Sequence, residues 1–275
     1  MTHIATTRIG SLDVTVLTDG ARSFPPALFP GTSAETIDAL LAAAGETEIR
    51  TNFNAMLARG GGRTVLVDAG GRDLMGDAAG RLPLALKEAG CAPGAVDLLF
   101  VTHIHPDHIG GTVTAEGAAA FPAAELVIPE AEVAFWSDPA RAEGDRAALY
   151  HLAQQMFAAY GDRLRPLAAG GEVAPGMTAL PLPGHTPGHS GLRLVSDGEV
   201  LVNVADILHA QHLQLADPDI AVTFDFDIDT ARATRRRMLD EAATEGFVIT
   251  GGHLLQPALG RIERAGRGYR LVPLA

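Results

Sequence analysis

Residues 103 to 108 read His103-Ile104-His105-Pro106-Asp107-His108, four metal-ligand side chains within six positions. Imidazole nitrogen and carboxylate oxygen both suit zinc and similar borderline metals. A chance histidine-rich loop does not account for this density. The apolar run Val96, Leu98, Leu99, Phe100 and Val101 leads into the cluster, and Gly110-Gly111 follow it. That order predicts a buried strand, a ligand-bearing loop and a turn. A loop at a strand end is held by rigid backbone yet stays open to substrate.

Further donors stand in matching contexts downstream. His185 follows the apolar run 180–182, within Pro183-Gly184-His185-Thr186-Pro187-Gly188-His189. Asp206 ends the run 200–205, and His253 follows Phe247-Val248-Ile249-Thr250-Gly251-Gly252. In a layered α/β fold, loops at one end of a sheet converge, so such residues can share a site. A single His or Asp after a strand is more often a turn residue or a satisfied core group. Repetition of the pattern favours the shared site.

Taken together, His103-x-His105-x-Asp107-His108, His185, Asp206 and His253 resemble the ligand set of the metallo-β-lactamase superfamily. The resemblance runs through nearly the whole chain. It implies a four-layer αββα sandwich, one domain over residues 1–275, and two divalent metal ions. It places His103, His105 and His185 on the first metal, and Asp107, His108 and His253 on the second. Asp206 would bridge both. Zinc is the first choice for these donors, and iron, manganese or cobalt suit them as well. Such a pair would acidify a shared water and supply hydroxide near neutral pH. Asp107 is then the candidate proton relay and Asp206 the catalytic bridge. Asp68 matches an aspartate that orients a ligand histidine in the superfamily; a plain Asp-Gly-type turn is the alternative. His189, four residues past His185, reads as support for a ligand.

Several stretches are similar to the methyl parathion hydrolase group and the quorum-quenching lactonases: residues 102–111, 131–136, 184–189, 224–227 and 260–270. This implies a small-molecule lactone, a carboxylic or aryl ester, or a phosphotriester as substrate, and a homodimer. Trp136 matches a pocket aromatic of that group, with ordinary packing of the Phe135-Trp136 pair as the alternative. Met75 stands where the group suggests another pocket aromatic, which weakens the case for efficient phosphotriester hydrolysis. His209 and His212 follow Asp206 closely and are candidates for the pocket mouth, against a default of solvated loop histidines. Two other readings compete. A glyoxalase II-like thioesterase carries a basic C-terminal domain that this tail does not resemble. A non-catalytic metal-binding protein on the same scaffold conflicts with an intact ligand set.

Composition removes other classes. A formal net charge of −12 lacks the basic footprint of a nucleic-acid binder. Arg235-Arg236-Arg237 falls inside a helical pattern begun at Asp229-Thr230 and reads as a solvated basic face. No stretch is long and apolar enough for a membrane helix, and the N-terminus lacks a signal-peptide pattern. One cysteine, Cys91, excludes an internal disulfide and suits a reducing cytoplasm. Alternation predicts a strand at residues 12–17 and a hairpin of residues 53–59 with 64–67. Helices are expected at residues 82–89 and 230–243. Between Pro129 and Pro166 the chain reads as largely helical, with Leu149, Leu152, Met156 and Tyr160 on one face. Two strand-rich halves with outer helices fit the sandwich.

Overall fold

The computed structural model describes residues 3–274. Within them the apolar runs pair into two seven-stranded sheets. The first follows chain order: β1 (Ile4–Ile9), β2 (Leu12–Phe24), β3 (Ile49–Gly60), β4 (Arg63–Val67), β5 (Leu98–Phe100), β6 (Glu125–Pro129) and β7 (Leu164–Leu167). It is antiparallel from β1 to β4 and parallel from β4 to β7. The second contains β8 (Glu172–Ala174), β9 (Met177–Pro181), β10 (Ser190–Ser196), β11 (Glu199–Asn203), β12 (Val248–Thr250), β13 (Gly260–Ala265) and β14 (Gly268–Pro273). Its only parallel pair is β11 with β12.

Parallel neighbours need a crossover rather than a hairpin. After α1 (Ala34–Ala43), which joins β2 to β3, the helices supply these crossovers. Helix α2 (Leu82–Glu88) links β4 to β5, and the single turn α3 (Pro106–Ile109) lies between β5 and β6. Helices α4 (Glu130–Trp136) and α5 (Ala147–Tyr160) carry the chain to β7. Helices α6 (Gln211–Ala216) and α7 (Ile228–Glu245) join β11 to β12.

Period-two alternation sorts side chains to the two faces of the first sheet. Val65, Val67, Leu98, Phe100 and Val127 enter the core between the sheets. Leu66, Leu99, Val101, Leu126 and Ile128 face the helical layer, where Leu86, Leu152, Met156 and Tyr160 pack on them. A sheet covered on both faces reads as unbroken apolar sequence, which is why residues 98–101 show no alternation. Met238, Leu239 and Ala242 of α7 cover the second sheet from outside. The layers are therefore helix, sheet, sheet, helix, as the sequence predicts.

Helix α7 corrects one expectation. Arg235 is fully buried, while Arg236 and Arg237 stay exposed. Successive helical residues turn by about 100°, so three adjacent arginines cannot share one face. Arg235 points inward with Ala231 and Met238. The helix also outruns residues 230–243 at both ends: Asp227 caps its start by accepting from Thr230 N, and Gly246, left-handed at φ 68°, ends it.

Topology determines where the donors can meet. Strand β10 is antiparallel to both β9 and β11, so β9, β11 and β12 share one direction. Their C-terminal loops open at one edge and carry His185, Asp206 and His253. Loops after the parallel strands β4 and β5 carry Asp68 and the 103–108 cluster.

Candidate metal centre

Four of the five donor histidines are oriented by a bond on the outer ring nitrogen. His108 Nδ1 donates to Asp68 Oδ2 at 2.9 Å. Thr102 donates its hydroxyl to the same carboxylate at 2.9 Å, which leaves its oxygen to accept from His103 Nδ1 at 3.0 Å. His185 Nδ1 donates to Asp225 Oδ1 at 3.0 Å, and His253 Nδ1 to the Asn52 carbonyl at 2.9 Å. A neutral imidazole that donates from one nitrogen presents a lone pair on the other. Four Nε2 atoms are thus turned inward.

They converge on one carboxylate. Asp206 Oδ2 lies 2.9 Å from His253 Nε2, 3.1 Å from His108 Nε2, and 3.5 Å from both His103 Nε2 and His185 Nε2. His105 enters by Nδ1, 3.1 Å from His103 Nε2 and 3.0 Å from His185 Nε2. Asp107 Oδ2 stands 3.5 Å from both His108 Nε2 and His253 Nε2. Two separate metal-sized groups result, His103, His105 and His185 in one and Asp107, His108, Asp206 and His253 in the other; a third, His185, Asp206 and His209, shares members with both. Backbone strain accompanies this convergence, with Asp68 at φ 63° and Ala205, just before Asp206, at φ 46°. Gly252 is required by close approach, since a Cβ there would stand 2.3 Å from Asp206 Oδ1.

Electrostatics distinguishes the two groups. Burial lowers His103 well below the usual histidine range and brings His105 and His185 down to about 3. Burial also opposes the charged form of His108, but the carboxylates of Asp206, Asp107 and Asp68 outweigh it and raise the ring well above its usual range. His253 is raised in the same way, chiefly by Asp206. For Asp107 burial acts upward, and His108 and His253 overcome it to bring the carboxyl to about 2. The three-histidine group is therefore a set of neutral lone pairs facing one another at neutral pH. Asp206 Oδ1 is buried without a hydrogen-bond partner among the described residues. Crowded lone pairs, two ionised carboxylates and an orphaned buried oxygen fit divalent cations and little else.

The family model described as the metallo-beta-lactamase superfamily matches residues 51–263. The chain belongs to that superfamily. Its structure is similar to that of AbOPH, described as a hydrolase in the beta lactamase superfamily, with TM-score 0.93 and 28% identity, covering 100% of this chain and 98% of that one. AidC, a dizinc quorum-quenching lactonase, shares the fold at TM-score 0.90 and 24% identity, over 99% of this chain and 97% of that one. A probable metal-dependent hydrolase from Staphylococcus aureus does so at TM-score 0.81 and 18% identity, over 98% of this chain and 100% of that one. No curated protein sequence matches the chain.

In this metallo-β-lactamase superfamily member His105, Asp107, His185, Asp206 and His253 line a cavity of about 240 Å³. Phe24, Phe53, Phe224 and Met75 form apolar walls, and Arg22 stands at the cavity as well. His209 lines it too, stacked on the His253 ring with centroids 4.7 Å apart and Nε2 3.6 Å from Asp206 Oδ2. Two predicted pocket residues lie elsewhere. Trp136 is buried in the helical-side core, because it sits one turn beyond Glu132 on the inward face of α4. His212 sits on the outer side of α6, 3.8 Å from Glu46 and against a separate surface cleft, because inward-facing Leu213 turns it away. His189 stands behind Asp206: its Nδ1 donates to the Leu182 carbonyl, and its Nε2 accepts from Asp206 N at 3.0 Å.

Three supporting residues escaped the sequence reading. Asp225 orients His185, and nothing in residues 224–227 distinguishes it from Asp227, which caps α7 instead. Burial pushes the Asp225 carboxyl up to about 6 against the pull of Arg235. Arg235 donates to the carbonyls of Ile207, Pro218 and Ile220 and pairs with Asp225 Oδ2 at 3.4 Å. The third, Glu132, accepts from both ligand loops.

Proposed function

We propose that this metal-dependent hydrolase opens lactones or cleaves related carboxylic and aryl esters, with phosphotriesters as slower substrates. The observation that carries this reading is a pair of donor groups meeting at Asp206 on the floor of a small apolar cavity. His103, His105 and His185 would hold one ion, Asp107, His108 and His253 the other, with Asp206 between them. When bound, two such ions supply a Lewis acid for the substrate oxygen and an acidified water. Zinc is our first assignment for a His/Asp set, with iron, manganese and cobalt as substitutes. We place the enzyme in the cytoplasm, free or as a homodimer. Among the described residues no helix is long and apolar enough to cross a membrane.

The chain's own groups divide the remaining work. Phe24, Phe53, Phe224 and Met75 take the alkyl or aryl part of the substrate and exclude water around the reacting carbonyl. Asp107 faces the cavity as an ionised carboxylate, so at pH 7 Oδ2 accepts hydrogen bonds and has almost no proton to donate. Met75 leaves its wall without the flat ring that would stack on an aryl leaving group, and this favours lactones and alkyl esters.

The test is a panel of acyl-homoserine lactones, aryl esters and paraoxon-type phosphotriesters, assayed before chelation, after it and after metal re-addition. Lactone and ester turnover should disappear with chelation and return with zinc, cobalt or manganese. Absence of metal-dependent turnover on the whole panel contradicts the proposal.

A further inference from the structure

Glu132 is fully buried on α4, and both of its carboxylate oxygens are engaged. Oε2 accepts from Ile104 N at 2.9 Å, between His103 and His105. Oε1 accepts from the Thr186 hydroxyl at 2.6 Å and from Gly188 N at 2.7 Å, just past His185. One side chain therefore ties together the loops that bring His103 Nε2 and His185 Nε2 to 3.1 and 3.0 Å from His105 Nδ1. We propose that Glu132 is a positioning residue that sets the spacing of the three-histidine position by locking these two loops. The inference rests on the metal reading given above.

The loops descend from different sheets, so local backbone geometry cannot fix their separation. A second direct tie runs from Ser190 N to the Thr102 carbonyl at 3.1 Å, behind the histidines. Glu132 acts nearer the rings, bonding the residue on either side of the gap. The loop is also pressed against α4, since a Cβ on Gly188 would stand 2.6 Å from Glu132 N. A metal position tolerates displacements of only about half an ångström in its donors, so this lock bears directly on affinity.

Chemistry explains why the residue is a carboxylate. Its three partners are all donors, and an ionised carboxylate offers acceptors on both oxygens. A glutamine would turn an N–H toward one loop and set donor against donor. Burying the charge is costly, and three charge-assisted hydrogen bonds offset that cost. Glu132 does not line the cavity, so it acts through the histidines rather than on substrate.

The test is titration of metal-free protein with Co(II), following visible absorption and bound cobalt per chain. His185→Ala and His253→Ala assign the bands of the two positions. Glu132→Gln should bind cobalt about 10- to 100-fold more weakly at the three-histidine position, with the other position changed by less than about twofold. Thr186→Val should weaken the same position several-fold, and Thr186→Ser, which restores the hydroxyl donor, should recover it. This second pair decides the matter if Glu132→Gln does not fold. Wild-type affinity at that position in Glu132→Gln or Thr186→Val, or equal loss at both positions, overturns the inference. A wild-type chain that takes up no cobalt overturns the metal reading and this one with it.

Discussion

The two halves of the molecule supply the candidate metal centre in opposite ways. The first sheet gives four donors from one loop, His103 to His108, immediately after β5. The second gives three, His185, Asp206 and His253, from three loops spread over 69 residues (253 − 185 + 1). Support differs accordingly. In the first half a single carboxylate, Asp68, orients His108 directly and His103 through Thr102. In the second, Asp225 serves His185 alone and is itself paired with buried Arg235, which also gathers the 207, 218 and 220 carbonyls. A compact donor cluster can share one bracing carboxylate. A dispersed one needs a hub.

The widest consequence concerns the residue that both halves share. Asp206→Asn keeps the shape and removes the charge on which four histidines converge. It should lower kcat/KM by on the order of 10³-fold or more, since several kcal/mol of charge stabilisation are lost. Steady-state kinetics alongside circular dichroism checks this, and near-normal kcat/KM contradicts it. Next comes the hub. Arg235→Met leaves Asp225 buried without its cation and should reduce unfolding free energy by about 3–5 kcal/mol in urea denaturation. Adding Asp225→Asn should return part of that loss; an additive double variant would mean the pair is not coupled.

A finer division separates the two supporting carboxylates. Asp68→Asn and Asp225→Asn should each cost about 10- to 100-fold in metal affinity. Asp68→Asn should weaken both metal positions, because it serves His103 and His108. Asp225→Asn should weaken only the position that includes His185. Identical patterns in the two titrations would erase the distinction between the halves. The smallest effects belong to the two predicted pocket residues found outside the cavity. His212→Ala should leave ester and lactone KM unchanged. Trp136→Phe should shift stability by no more than about 1 kcal/mol, because the indole N–H it removes has no partner among the described residues. A selectivity change in either variant would place that side chain back in the pocket.

The same contrast explains what could be read in the sequence. Donors were legible because each one follows an apolar run, and a strand end is visible in one dimension. The hairpin around Gly60 to Gly62 and the helical stripe through Leu152, Met156 and Tyr160 were legible for the same reason, since both are periodic. Among the bracing residues, Asp68 and His189 were expected from the sequence, and Arg235, Asp225 and Glu132 were not. Arg235 sits in a run of three arginines that resembles a solvated face, and burial of the first depends on loops fifteen to twenty-eight residues away. Glu132 looks like an ordinary acidic residue in a first helical turn, and its partners lie 28, 54 and 56 positions off. For Trp136 pocket and packing both stayed open, because a local aromatic pair does not say which way the helix faces.

The central claim is that seven donors from both halves hold two ions around Asp206. Anomalous diffraction at the zinc absorption edge from zinc-loaded crystals tests it directly. Two peaks are predicted, one bounded by His103, His105 and His185 and the other by Asp107, His108 and His253, with Asp206 touching both. A single peak, or zinc bound away from Asp206, would contradict the account.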